Sequence, residues 1–201
     1  MDDVDETGWG APDHLWVMRH VRIEVVTPAI EDDHVALTTW CSGTAAVAAG
    51  RRLTLSGDRG GRVEIESAWI HLGPDARPAR IVDFGLYADA AGDRAVSTRL
   101  ELPVPPSDGV RIPWPLRVTD VDLLGHVNNA AYWHAVEQRL LTAGLDPLVP
   151  MRASLDHRHA IDFRDDVELV EVIDGGLLGI GFAVDGVVNA VAWVEARTSG
   201  S

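Results

Sequence analysis

Lysine is absent from this chain: all seventeen basic residues are arginines, and the formal net charge is −14. That balance argues against a general affinity for nucleic acid or anionic membrane surfaces, since both call for cationic faces. Cysteine is nearly absent too. The single Cys41 rules out an internal disulfide and a thiolate metal cluster, and free cysteine is commonly buried, so Cys41 reads as a core residue. No apolar run approaches the ~20 residues of a membrane span. The opening Met1-Asp2-Asp3-Val4-Asp5-Glu6 is acidic, whereas a secretory signal starts with basic residues. The cytoplasm is therefore the expected location.

What is present fits a globular protein with a substantial core: 46% of the residues are hydrophobic and 24% charged. The chain reads as two halves. Residues 15–27, 34–42, 46–56 and 62–72 are rich in Val, Ile, Leu, Thr and Trp and are punctuated by Pro28, Gly43, Gly57 and Gly73. They read as four strands of an antiparallel meander. A loose connection with Pro103, Pro105 and Pro106 follows, since a long stretch of weak periodicity is uncommon inside one unit. The expected division is residues 1–85, a linker over 86–109, and residues 110–201.

The second half opens with a strand over 110–118. Residues 129–143 then show helical spacing, with Ala130, Trp133, Val136, Leu140 and Leu141 on one side and Gly144 as the stop. Four more strands are expected over 152–163, 167–173, 177–184 and 187–195. Asp174-Gly175-Gly176 and Asp185-Gly186 are hairpin turns. A long apolar-faced helix followed by antiparallel strands predicts a curved sheet around that helix, an α+β architecture.

Between the strand and the helix lies Thr119-Asp120-Val121-Asp122-Leu123-Leu124-Gly125-His126-Val127-Asn128-Asn129. A junction of this kind aims a carboxylate, an imidazole and the free N–H groups of a helix start at one place. Asn128 or Asn129 suits the N-cap, and the first turn carries unpaired donors with partial positive charge. An acyl carbonyl there meets a base, Asp122 or His126, and donors for an oxyanion from Gly125, Val127, Asn128 and Asn129. Asp120 shares a face with Asp122 if the strand runs through both, and a solvated edge is its expected place.

Asp120-Val121-Asp122, Gly125-His126-Val127-Asn128-Asn129 and Tyr132 together resemble the signature of the acyl-acyl-carrier-protein thioesterases. Trp16-Val17-Met18-Arg19, Thr38-Thr39-Trp40 and Trp69-Ile70 resemble strands of that family's first unit. The resemblance implies a tandem (double) hotdog fold, each unit a helix held in an antiparallel sheet. It further implies hydrolysis of fatty-acyl thioesters, with Asp122 as general base or nucleophile and His126 assisting. Its partners are an acyl carrier protein or CoA thioester, and it calls for no cofactor and no metal.

The chain departs from that pattern at three places. Only fourteen residues precede Leu15, where a first unit would supply a strand and most of a helix. Residues 3–8 are expected to be the tail of that helix, so the first unit reads as truncated, with an uncovered apolar face suited to a partner or a homo-oligomer. Leu124 stands where the family carries asparagine. In Leu155-Asp156-His157-Arg158 the family's Leu-acid-aromatic-Arg segment recurs with histidine for the aromatic residue, and it places Ala160 and Ile161 where an acid and often a cysteine belong.

Other candidates are weaker. Glu137 is expected to be a partly buried structural acid, ~16 Å along the helix from His126. His157 and His159 could share a strand face, but their spacing lacks a zinc motif. Arg111, Arg117, Arg152, Arg158 and Arg164 are the arginines available to an acidic carrier protein. Two rival readings stay open: a non-catalytic acyl-binding or assembly protein, and an enoyl-thioester hydratase.

Overall fold

The computed structural model of the protein describes residues 15–82, 84–146 and 148–196. The helix tail expected over residues 3–8 lies outside them. The strands are β1 (Leu15–Thr27), β2 (Val35–Ala45), β3 (Ala48–Gly57), β4 (Arg62–Leu72), β5 (Val110–Pro113), β6 (Met151–His157), β7 (Val167–Asp174), β8 (Leu177–Val184) and β9 (Val187–Ala196). Among the described residues two helices join them, α1 (Leu86–Ala91) and α2 (Asn129–Thr142), with a 3-10 turn at Val118–Asp120.

All nine strands lie in one sheet of order β2-β3-β4-β1-β6-β9-β8-β7-β5, antiparallel throughout. The seam is β1 against β6, with His20 opposite Asp156 and Val25 opposite Met151. On either side of that seam the order repeats. In the second half β6, β9, β8 and β7 are followed by β5. In the first, β1, β4, β3 and β2 run the same way, and no strand lies beyond β2 among the described residues.

The core sits between α2 and the inner face of the second half. Ala131, Tyr132, Ala135, Val136 and Leu140 of α2 pack with Leu155, Leu169, Leu178, Ile180, Phe182 and Val194. This stripe is rotated from the expected one: Ala130 is exposed and Leu141 is 63% exposed. Tyr132 is buried in the core, while its expected neighbour Trp133 is only half-buried against it. Glu137 is exposed, not partly buried, because it falls on the wet side of that rotated stripe.

The local turn chemistry behaves as its residues dictate. Asp185 and Gly186 both take positive φ, 49° and 80°, closing β8 to β9 with a two-residue loop. Gly144, at φ 73°, ends α2 as its N–H returns to the Leu141 carbonyl. Cys41 is buried.

The connection between the halves is stitched down rather than loose. Asp156, a buried acid on β6, accepts the N–H groups of Glu101 and Leu102 at 3.0 Å each. The Trp193 indole donates to the Pro103 carbonyl at 2.8 Å, and its ring lies flat over Gly179, where a Cβ would clash at 2.6 Å. Side chains satisfy this segment's backbone groups, which is why it needs no periodicity of its own.

Candidate active site

The strand expected over 110–118 forms only over Val110–Pro113, and a 3-10 turn stands at its expected end. Arg117 introduces the 3-10 turn and binds Asp120 through both its backbone N–H (2.8 Å) and its guanidinium (2.6 Å). Asp120 is thereby buried, at 2% exposure, rather than set on a solvated edge. The guanidinium beside it holds its carboxyl below the usual carboxylate range. An acid with this many donors can be enclosed without an orphaned charge.

A small hairpin follows. Val121 pairs with Val127, the Asp122 N–H donates to the His126 carbonyl at 2.8 Å, and the Gly125 N–H returns to the Asp122 carbonyl at 3.1 Å. Gly125 has φ 83°, which the tip of so tight a turn requires and which a side chain would strain. Inside the turn, Oδ1 of Asp122 accepts the N–H groups of Leu124 (2.8 Å) and His126 (3.1 Å). Its second oxygen has no partner among the described residues.

The helix then starts as the motif requires. Asn128 is the N-cap, its side chain accepting the Ala130 N–H at 2.8 Å. The N–H of Val127 donates to the Ile161 carbonyl, and that of Asn128 to the Asp120 carbonyl, each at 2.8 Å. Of the four residues proposed to hold an oxyanion, Gly125, Val127 and Asn128 thus have engaged N–H groups, and Asn129 has one without a partner among the described residues.

Sequence reading missed Asp162. It bridges to His126 in a short backbone pairing, and its Oδ1 lies 3.4 Å from the His126 Nε2. The only signal was an acid two residues beyond Ala160, where the family pattern places one. Both side chains are open to solvent, at 44% for His126 and 66% for Asp162.

Asp122, His126, Asn129 and Tyr132 border a cavity of about 290 Å³. Its far wall comes from the first half, with Trp16 and Met18 of β1 and Ile70 and Leu72 of β4; His157 at the end of β6 and Arg158 and Ala160 just after it close the cavity. Burial raises the Tyr132 phenol, and the nearby Asp122 charge adds to this, so Tyr132 keeps its proton and can donate. Burial lowers His157 to about 4, with His20 and Arg19 reinforcing the shift. A larger groove of about 530 Å³ lies elsewhere, lined by Arg22, Arg52, Arg62 and Arg152 beside Glu24, Glu64 and Glu66. Its charges largely cancel in pairs such as Arg52–Glu66 and Arg62–Glu64.

The acyl-ACP thioesterase C-terminal domain matches residues 106–189, and the acyl-ACP thioesterase N-terminal domain matches residues 11–87. The chain belongs to the acyl-ACP thioesterase family. A Mycobacterium tuberculosis protein, the uncharacterized Rv2001 of strain H37Rv, is 30% identical over 185 residues, 88% of this chain and 72% of the relative. Among solved structures, an acyl-ACP thioesterase from Bacteroides thetaiotaomicron superposes with TM-score 0.79 at 15% identity, covering 96% of this chain and 83% of that one. The 12:0-ACP thioesterase from Umbellularia californica gives 0.74 at 17%, covering 95% and 78%. These likenesses establish the fold of this member of the thioesterase family as a double hotdog, with α2 as the helix of its second unit. No helix among the described residues is long and apolar enough to cross a membrane.

Four of the five arginines considered for carrier docking are already engaged. Arg111 pairs with Glu168, Arg117 with Asp120 and Arg152 with Glu24, while Arg158 donates to the Leu102 carbonyl. Arg164 is exposed and has no partner among the described residues. His157 ends β6 and His159 is exposed beyond the strand, and both line the cavity.

Proposed function

We propose that the protein hydrolyses fatty-acyl thioesters, carried on acyl carrier protein or CoA, to the free acid and thiol. The observation that carries this reading is the Asp122 carboxylate. It is pinned by two backbone donors on one oxygen and unpartnered on the other, at a cavity shared with His126, Asn129 and Tyr132. A general base needs that combination of a fixed position and a free lone pair.

In the proposed reaction Asp122 takes a proton from water, and the hydroxide oxygen bonds to the thioester carbonyl carbon. Charge gathers on the carbonyl oxygen, where the Asn129 N–H at the positive end of α2 is the available backbone donor. The C–S bond then breaks, and the thiolate is protonated by Asp122 or His126. If Asp122 attacks directly, an anhydride forms first and water releases the acid from it. In the carrier-bound case Arg164 is, of those five arginines, the one left without a partner among the described residues and so open to an acidic partner.

The test offers acyl-carrier-protein and acyl-CoA thioesters of several lengths to purified wild type and Asp122→Asn. Turnover by wild type alone supports the assignment, and equal turnover by both removes it. A second reading, acyl binding without hydrolysis, draws on Leu124 and Ala160, which supply no catalytic group where the family pattern carries asparagine and an acid. Tight retention of an uncleaved acyl thioester favours that reading.

A further inference from the structure

The hydroxyl of Tyr132 is a polar group that the proposed reaction leaves unused. Tyr132 is the fourth residue of α2 and is 2% exposed. Three rings hold its own in place, those of Trp114, Phe182 and His157, at centroid distances of 5.9, 5.0 and 4.9 Å. That packing uses the apolar part of the residue. The hydroxyl has no hydrogen-bond partner among the described residues. It is not sealed in either, because the buried side-chain nitrogen and oxygen atoms without a partner among the described residues are His157 Nε2 and Arg158 Nε. The small part of Tyr132 that stays open therefore includes its hydroxyl, and the open space beside it is the cavity that Tyr132 lines.

A buried tyrosine usually finds a partner for its hydroxyl, and packing gives no reason for one here. Phenylalanine would fill the same space among the three rings. The position on α2 supplies the reason. Long side chains of a helix lean toward its N-terminus, over the residues three and four positions earlier. For Tyr132 those are Asn129, the first residue of the helix, and Asn128, its N-cap. Asn129 lines the same cavity, and residues three apart on a helix have Cβ atoms about 5–6 Å from one another. The phenol O–H and the free Asn129 N–H are thus neighbouring donors at a cavity that Asp122 also borders. Leu124 borders it too and brings no donor where the family pattern carries asparagine.

We infer that Tyr132 is a catalytic residue whose O–H donates to the carbonyl oxygen of the bound thioester, forming with the Asn129 N–H a two-donor oxyanion site. This rests on reading the cavity as the thioester site. As the hydroxide oxygen bonds to the carbonyl carbon, the π electron pair moves onto the carbonyl oxygen and both hydrogen bonds strengthen. As the C–S bond breaks, that pair returns to the carbonyl and the thiolate leaves. Tyr132 keeps its proton throughout. Burial, reinforced by the Asp122 charge, holds the phenol above the ordinary tyrosine range, so it stabilises charge without losing the proton.

Tyr132→Phe keeps the ring against Trp114, Phe182 and His157 and removes one oxygen. Because that oxygen has no partner in the fold, the variant should melt at or above the wild-type temperature, which shows that a slow variant is still folded. With acyl-CoA substrates kcat should fall about 10²-fold or more, the loss expected of one oxyanion donor, while KM changes less. A second readout needs no turnover. A hydrolysis-resistant acyl-CoA analogue, with a methylene between the sulfur and an isotope-labelled carbonyl, is bound to each protein, and the carbonyl stretch is recorded by infrared difference spectroscopy. A donated hydrogen bond weakens the C=O bond, so the stretch should lie lower in wild type than in Tyr132→Phe.

Equal carbonyl frequencies in the two proteins overturn the inference, whatever the rates. So does a kcat within about threefold of wild type, far short of the loss of an oxyanion donor. Either result, with hydrolysis by wild type intact, removes this inference and leaves the thioesterase reading standing. An analogue that binds neither protein, with no thioester hydrolysed by wild type, removes both.

Discussion

The backbone N–H of His126 donates to Oδ1 of Asp122 at 3.1 Å, so the two leading candidates are joined through main chain and not through the imidazole. The imidazole turns instead toward Asp162, with 3.4 Å between Nε2 and Oδ1. One residue of the pair is thus held by the turn itself, while the other stands in solvent beside a second acid. The two should respond very differently to substitution.

Asp122→Asn separates charge from architecture. The amide oxygen can still accept the Leu124 and His126 N–H groups, so the hairpin persists, while the base is lost. The expected result is a fall in kcat/KM of about 10²-fold or more, the usual worth of a positioned general base. Asp122→Ala should add a loss of thermal stability, because two N–H groups lose their acceptor. If Asp122→Asn melts as early as Asp122→Ala, the turn depends on the charge and the separation fails.

How much of this was legible in the sequence depended on the range of the interactions. Asn128 as a cap, Gly144 as a stop and the Asp185-Gly186 turn were readable because each is fixed by residues within a few positions. The seam of β1 against β6 joins residues more than a hundred positions apart, and no local pattern encodes it. The burial of Asp120 was not legible because it depends on Arg117, three residues upstream, whose guanidinium satisfies it only in a 3-10 turn. Asp162 escaped because its partner His126 lies far away in the sequence and is delivered only by folding.

Asp162→Asn should have a small effect. Exposed ion pairs contribute about 0.2–1 kcal/mol, which corresponds to a change of at most about fivefold in rate if the pair only orients His126. Steady-state kinetics should therefore show a modest fall in kcat with little change in KM. A loss as large as that of Asp122→Asn would mean that Asp162 itself takes part in the chemistry.

The helix that carries the site is anchored by Arg139, whose guanidinium grips Glu171 of β7 with two bonds of 2.6 and 2.9 Å. The side chains are 18% and 4% exposed, so removing one partner strands a buried charge. Arg139→Met should cost about 3–5 kcal/mol in urea unfolding, and the double variant Arg139→Met/Glu171→Met should recover much of it. A double variant no more stable than Arg139→Met would show that the helix needs the pair itself, not merely the absence of an unpaired charge.

His157 should leave a mark on stability at acid pH. Burial lowers its pKa from the ordinary 6.5 to about 4 in the folded protein. Between those values the unfolded chain binds a proton that the native protein does not, so stability rises with pH across that window. The contribution is fully present above pH 6.5 and is lost as pH falls toward 4, by on the order of 3 kcal/mol. Carboxylates held low, such as Asp120 beside Arg117, titrate below this window, whereas His20, lowered from 6.5 by burial, adds to the slope within it in both proteins. Urea unfolding at several pH values should show this slope in wild type and a shallower one in His157→Phe, where the titrating group is gone. Identical slopes in the two proteins would mean that His157 is protonated inside the fold, and a charged imidazole facing Tyr132 would then have to find its counter-ion in the cavity.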